Sequence, residues 1–308
     1  MAGSNCTSAE TAWGLGAGVP GSTHLLDFDP ARMICEMDQR ALIFLHIPKT
    51  AGTTLNRIIE WQYAPLSIFT MDPHGIRATP ERFKRLSEQR RRRLRAVRGH
   101  MLYGIHEFLP QGATYITMLR EPVARLLSAY AFILRRPLNP MHHKLKRERL
   151  GVEAFIRLTP NRQNLQCRIL AGVENVTCDE RVLDMAKENL TKSFSVVGLC
   201  ERFEESLMLI AKTFEWEIPY YENRKVSNVR PAIEPGVVDM IQEHNRFDIK
   251  LYEFGKNLFR EMVARKESDV KKGLADLKSI PKPGPWQNIY QSTVGVGRFL
   301  ASKIASAA

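Results

Sequence analysis

The sequence predicts an α/β protein whose three layers, α/β/α, enclose a central parallel sheet. Three observations carry this. Ala41–Ile47 is an unbroken apolar run closed by Pro48, the pattern of a strand buried on both faces. Apolar residues at helical spacing follow it, and strand-like and helix-like segments then alternate along the chain. A length of 308 residues with 44% hydrophobic and 25% charged composition suffices to bury such a core.

Residues 1–38 are rich in Gly, Ser, Ala and Thr, show no sustained period, and are expected to form a flexible extension. Order begins with the strand at Ala41–Ile47. Leu55, Ile58 and Ile59 then fall on one side of a helix over Thr53–Trp61. Residues 80–98 read as a basic helical stretch. A second strand is expected at Thr114–Leu119, and Pro122 suits the first turn of the helix after it. That helix buries Val123, Leu126, Leu127, Tyr130 and Ile133 or Leu134. A third strand at Phe194–Leu199 and a helix near Phe203–Phe214 follow, and helices dominate to about Ala264. The folded domain therefore spans 39–264.

Beyond it, 265–308 reads as linker and tail. Arg265–Pro285 is polar, with Lys271-Lys272 and Pro283-Gly284-Pro285. Trp286–Ala308 has the apolar spacing of a short amphipathic helix that packs back or frays, with membrane contact as the alternative.

No run of 18 apolar residues occurs, so no transmembrane span is expected. The first 20 residues lack the basic-then-apolar order of a secretory signal, which makes the expected location cytoplasmic. The five cysteines form no CxxC pair and no metal-like spacing. Reduced thiols are expected, with a Cys167–Cys178 disulfide as the alternative, and no metal site. The net charge of +12 calls for an anionic partner: nucleic acid, a membrane surface, an acidic polysaccharide or a phosphate-rich cofactor.

Two segments carry chemistry. Pro48-Lys49-Thr50-Ala51-Gly52-Thr53-Thr54 joins a strand to a helix. A helix N-terminus presents unpaired backbone N–H groups and the positive end of its dipole, and Gly52 admits an anion close to that backbone. Lys49 adds a full charge, and the hydroxyls of Thr50, Thr53 and Thr54 add donors. The loop is not a Walker A motif, because Lys49 precedes the glycine instead of following it. Taken alone, it also reads as a plain turn capped by threonine. The second segment, Arg120-Glu121-Pro122-Val123-Ala124-Arg125-Leu126-Leu127-Ser128-Ala129-Tyr130, starts where a strand ends, at the edge where such sheets bind ligands. Ser128 lies about two helical turns on, so Arg120 and Ser128 suit a second phosphate. Arg125 reads as a surface or helix-pairing residue.

The pair of segments in this order resembles the sulfotransferases. The likeness is to the branch of heparan and chondroitin uronosyl 2-O-sulfotransferases and their bacterial relatives. Asn164–Gly172 and Val197–Leu207 are similar as well, and the likeness covers about residues 40–260. It implies a P-loop, nucleotide-kinase-like sulfotransferase fold and a metal-free transfer. The donor would be 3′-phosphoadenosine 5′-phosphosulfate, with Pro48–Thr54 at its 5′-phosphosulfate and Arg120–Tyr130 at its 3′-phosphate. The acceptor would be a hydroxylated molecule, with a carbohydrate favoured by the branch and a lipid or small molecule as alternatives, and no nucleic acid is expected to bind.

Sulfuryl transfer needs a cation at the transferring group and a base for the acceptor proton. Lys49 suits the first role. Of the eight histidines, His100 follows Gly99 between the two segments, and the resemblance implies that this Gly-His pair supplies the base. His106 and Glu107 form the nearest alternative, His46 reads as packed in its strand, and His142-His143 as solvated in a charged loop. Arg90–Arg93, Arg95 and Arg98 read either as a solvated helix face or as a contact for an anionic acceptor. Two other classes compete. A nucleotide kinase or NTPase would need the Walker A lysine and a strand-terminal aspartate, and neither is found. A polyanion-binding module would leave both segments unexplained.

Overall fold

The computed structural model of the protein describes residues 40–71, 79–218, 221 and 235–280. The expected N-terminal extension and the amphipathic tail lie outside them. Five strands form one sheet: β1 Ala41–Leu45, β2 Ile68–Met71, β3 Ala96–Gly99, β4 Ala113–Leu119 and β5 Phe194–Leu199. Their order is β2-β3-β1-β4-β5, and every pair is parallel. All carboxyl ends therefore share one edge. No side chain of β1 is more than 2% exposed, so both faces of the central strand are covered.

Strands β1, β2, β4 and β5 lead to helices, while β3 passes to β4 through the short 3₁₀ turn Ile105–Phe108. α1 (Gly52–Gln62) follows β1; α2 (Thr79–Arg85) and α3 (Glu88–Arg92) stand between β2 and β3. After β4 come α4 (Pro122–Leu134), α5 (Pro140–Arg147), α6 (Val152–Leu158), α7 (Leu165–Ala171) and α8 (Glu180–Ser193). After β5 come α9 (Phe203–Phe214), α10 (Pro235–His244), α11 (Arg246–Arg265) and α12 (Glu267–Ser279). The predicted three-layer arrangement is what forms. A second apolar cluster joins Leu126, Tyr130 and Ile133 of α4 to Phe155, Ile156 and Ile241. Among the described residues, no helix is long and apolar enough to cross a membrane.

Two expectations are corrected. Residues 80–98 are not one helical stretch, because they end in β3, and β2 precedes them. Both strands have only four residues, too few to show a period. β3 also contains Arg98, which is 3% exposed. It is tolerated there because its Nη2 lies 2.5 Å from Glu60 Oε1 of α1. Burial pushes the Glu60 carboxyl up, and the Arg98 charge opposes that shift.

The second correction concerns the linker. Residues 267–279 form α12, which packs on α9. Val270 is 2% exposed, and a Cβ on Gly273 would lie 2.7 Å from Met208 Sδ of α9. The outward lysines hid this apolar stripe; Lys271 pairs with Glu267 at 2.5 Å. Val270→Ala is therefore expected to lower the unfolding free energy by roughly 1–3 kcal/mol in urea titration. No change would mean that α12 contributes nothing to the fold.

Candidate active site

The site begins where β1 ends. His46 N–H donates to Gly99 O at 3.0 Å, so pairing with β3 runs one residue past the strand. The chain then turns through two left-handed residues, Lys49 at φ 76° and Ala51 at φ 59°. Left-handed residues within a turn are one means of gathering backbone N–H groups into an anion-binding concavity. Thr50 is fully buried, and its hydroxyl donates to Ile47 O at 2.9 Å, closing the loop on itself. That hydroxyl was expected to face an anion; instead it fixes the loop, and Thr50 offers its backbone. Thr53 is exposed and Thr54 is 6% exposed.

No side chain caps α1. By contrast, Glu121 caps α4 through Val123 N and Ala124 N, and Asp179 caps α8 through Val182 N. The start of α1 thus presents backbone N–H groups at the positive end of a helix dipole. Gly52 is required there, since a Cβ would lie 1.9 Å from His46 Nε2. The His46 ring cannot retreat: it is stacked on Phe44 at 5.4 Å and on His100 at 4.3 Å between centroids.

Arg120 stands at the end of β4, next to β1, and its Nη1 donates to Lys49 O at 3.0 Å. The two segments read from sequence therefore meet. The Gln166 side chain holds the Arg120 backbone at both groups, accepting from N at 3.0 Å and donating to O at 2.9 Å. On α4, Phe132 carries the Lys49 ammonium 4.1 Å from its ring centroid. Ser128 lies one turn earlier, so both are on the face of α4 that meets the loop. Of its two expected roles Arg125 takes the helix-pairing one, joining α4 to Asp248 of α11. It is fully buried, with Nη2 donating to Arg162 O at 2.7 Å and lying 3.7 Å from Asp248 Oδ2. Sequence reading missed Gln166, Phe132 and Asp248. Gln166 lay inside a segment that carried the family likeness; nothing distinguished the other two.

His100 follows β3 directly. Its Nδ1 lies 2.8 Å from His46 O. A carbonyl only accepts, so Nδ1 carries the proton, and the lone pair of the neutral ring is on Nε2. His46 is kept neutral beside it: burial first, then the charges of His100, Lys49 and Arg98, push its imidazole well below the usual value.

The alternative base pair is elsewhere. Tyr115 OH accepts N–H groups from Gly104 and His106, so its proton goes to His106 Nδ1 at 3.0 Å. His106 borders a pocket with Arg40, Ala113, Thr114 and Ser195, at the amino-terminal edge of β4 and β5. Glu107 is exposed beside it. His142 is half-buried on α5, with Nδ1 donating to Ile133 O at 3.2 Å, while His143 is exposed.

The arginines of α3 are away from the carboxyl edge of the sheet. α3 feeds the amino end of β3, where Arg90 donates to Leu66 O at 3.1 Å and Arg91 to Lys84 O at 2.8 Å. Arg92 pairs with Glu88 at 2.5 Å. Among the described residues, no cluster of three or more His, Cys, Asp or Glu is placed to hold a metal ion.

The buried His46 has a stability consequence. In the unfolded chain its imidazole takes a proton near pH 6.5, and in the folded chain it does so only at lower pH. The unfolded state thus binds more protons in that window, and stability falls as pH drops below about 6.5. The slope from this residue approaches about 1.4 kcal/mol per pH unit. His46→Phe is expected to flatten the dependence between pH 7 and 5 in urea titrations; an unaltered slope would show that His46 ionises normally.

Comparison with known proteins agrees with this geometry. The profile described as "Sulfotransferase family" matches residues 33–255. The chain is 25% identical over 203 residues to heparan-sulfate 6-O-sulfotransferase 1-B of Danio rerio, covering 54% of this chain and 50% of that protein. It is 29% identical over 181 residues to heparan-sulfate 6-O-sulfotransferase 3 of Homo sapiens, covering 48% of this chain and 38% of that protein. With heparan sulfate 2-O-sulfotransferase 1 of Homo sapiens it shares 23% identity over 274 residues, 76% of each chain. The matched part spans about half the length of the 6-O relatives, or less. With the profile covering both anion-directed segments and the whole sheet, the chain belongs to the sulfotransferase family.

Proposed function

We propose that the protein transfers a sulfuryl group from 3′-phosphoadenosine 5′-phosphosulfate to a hydroxyl of an anionic carbohydrate. The observation that carries this reading is the hydrogen bond from Arg120 to Lys49 O, which joins two anion-directed segments in one site. A donor with phosphate at both ends of its ribose needs two such segments; an ordinary nucleotide does not. The carbohydrate acceptor rests on the heparan-sulfate relatives.

In this reading the backbone N–H groups of Pro48–Thr54 past the proline, with Lys49, hold the 5′-phosphosulfate. Arg120 and Ser128 hold the 3′-phosphate. The donor supplies the sulfuryl group, and the remaining chemistry belongs to the chain. His100 Nε2 accepts the acceptor's proton as the new oxygen–sulfur bond forms. The Lys49 ammonium neutralises the charge that develops on the bridging oxygen as the old bond breaks. The Nδ1–H bond to His46 O holds the His100 tautomer for that task. Lys49 and the uncapped start of α1 supply the positive charge, so donor binding without a divalent cation is part of the proposal.

Calorimetry with adenosine 3′,5′-bisphosphate, with and without chelator, is expected to give the same affinity. Clear preference for ATP with magnesium would overturn the reading. Radiolabelled donor offered with a panel of glycans and small alcohols should label the anionic glycans.

His100→Ala is expected to lower kcat by roughly 10²–10⁴-fold with little change in bisphosphate affinity, while His106→Ala leaves turnover near normal. The opposite pattern would assign the base to His106.

A further inference from the structure

We propose that Asp248 is a positioning residue that sets Arg120 for the donor's 3′-phosphate, acting through Gln166. The proposal rests on the reading of Arg120 given above. Asp248 is on α11, far from Arg120 in sequence, and is fully buried. Its Oδ1 accepts from Cys167 N at 2.8 Å and its Oδ2 from Gln166 N at 3.2 Å. These N–H groups open α7, whose own N-cap, Asn164, caps it with no side-chain hydrogen bond. The carboxylate of another helix therefore does the capping.

The arrangement is reciprocal. Asn164 Oδ1 accepts from Phe247 N at 3.0 Å and Asp248 N at 3.1 Å, at the start of α11. Asn245, also fully buried, accepts from Asn164 N at 3.1 Å. Two helix N-termini are thus brought together, and their positive dipole ends repel. The buried guanidinium of Arg125 approaches the same place. The Asp248 carboxylate is the negative charge on which all three converge.

What this secures is Arg120. Its N–H and C=O lie past the end of β4, where the sheet offers them no pairing, and the Gln166 amide engages both. An amide presents one donor and one acceptor in a fixed plane, so it orients the peptide as well as binding it. Gln166 is 1% exposed. Its place is set by the first turn of α7, which Asp248 holds. The same carboxylate anchors α4 through Arg125, and α4 carries Ser128. Both ligands assigned to the 3′-phosphate are therefore referred to one buried charge.

The test compares two probes by calorimetry: adenosine 3′,5′-bisphosphate and adenosine 5′-phosphate, which lacks the 3′-phosphate. Gln166→Met keeps size and neutrality but removes both hydrogen bonds to Arg120. It is expected to weaken bisphosphate binding about tenfold or more, and 5′-phosphate binding by less than twofold. Asp248→Asn retains one acceptor oxygen and is expected to move the same ratio in the same direction. Arg120→Ala, run in parallel, sets the ratio when the 3′-phosphate contact is gone.

If Gln166→Met lowers the melting temperature but leaves the ratio at its wild-type value while Arg120→Ala collapses it, the positioning role is overturned and Gln166 is structural. If Arg120→Ala itself leaves the ratio unchanged, the reading of Arg120 fails, and this proposal fails with it. Should Asp248→Asn not fold, the Gln166→Met ratio alone decides.

Discussion

Lys49 and Ala51 stand in a region of backbone space that a Cβ disfavours by about 1–2 kcal/mol per residue. The turn they make is held from three directions. The buried Thr50 hydroxyl ties it to Ile47, Arg120 ties it to β4, and Gly52 lies against a His46 ring that is itself stacked on Phe44 and on His100. Strain of this kind persists only where its surroundings over-determine it. The carboxyl edge of the sheet is organised to do so, and the uncapped start of α1, the Lys49 ammonium and the lone pair of His100 take their places from that turn.

The same constraint couples the histidine pair to the anion-directed loop. His46 belongs to both: its carbonyl fixes the His100 tautomer, and its ring demands glycine at the entrance of α1. A neutral His46 beside His100 is consistent with one proton being handled by one ring. A charged neighbour stacked at 4.3 Å would oppose proton uptake by His100.

Positive charge in this protein is divided by the sheet. Among the described residues, arginines and lysines gather at both edges of the sheet. The α3 arginines bond to carbonyls and to Glu88 at the amino edge, and Arg98 is buried against Glu60. Lys49 and Arg120 are at the carboxyl edge, joined by the Arg120–Lys49 hydrogen bond, and Arg125 is buried behind it. Proximity in sequence therefore said little about which arginines act together.

The residue pattern alone located β1, β4 and β5 along the chain, the first helix after each, and the two segments where chemistry is concentrated. The reason is that long apolar runs and helical spacing record burial directly, and a proline, a lysine and a glycine at a strand end record a turn. The four-residue strands β2 and β3 left no such record, and α12 was masked by its outward lysines. Which groups meet was decided only by tertiary structure. The contact of Arg120 with Lys49, the stacking of His46 on His100, the removal of His106 to the far edge and the convergence on Asp248 each join residues distant in the chain. Their partners are set by strand order and helix packing, and no local propensity encodes those.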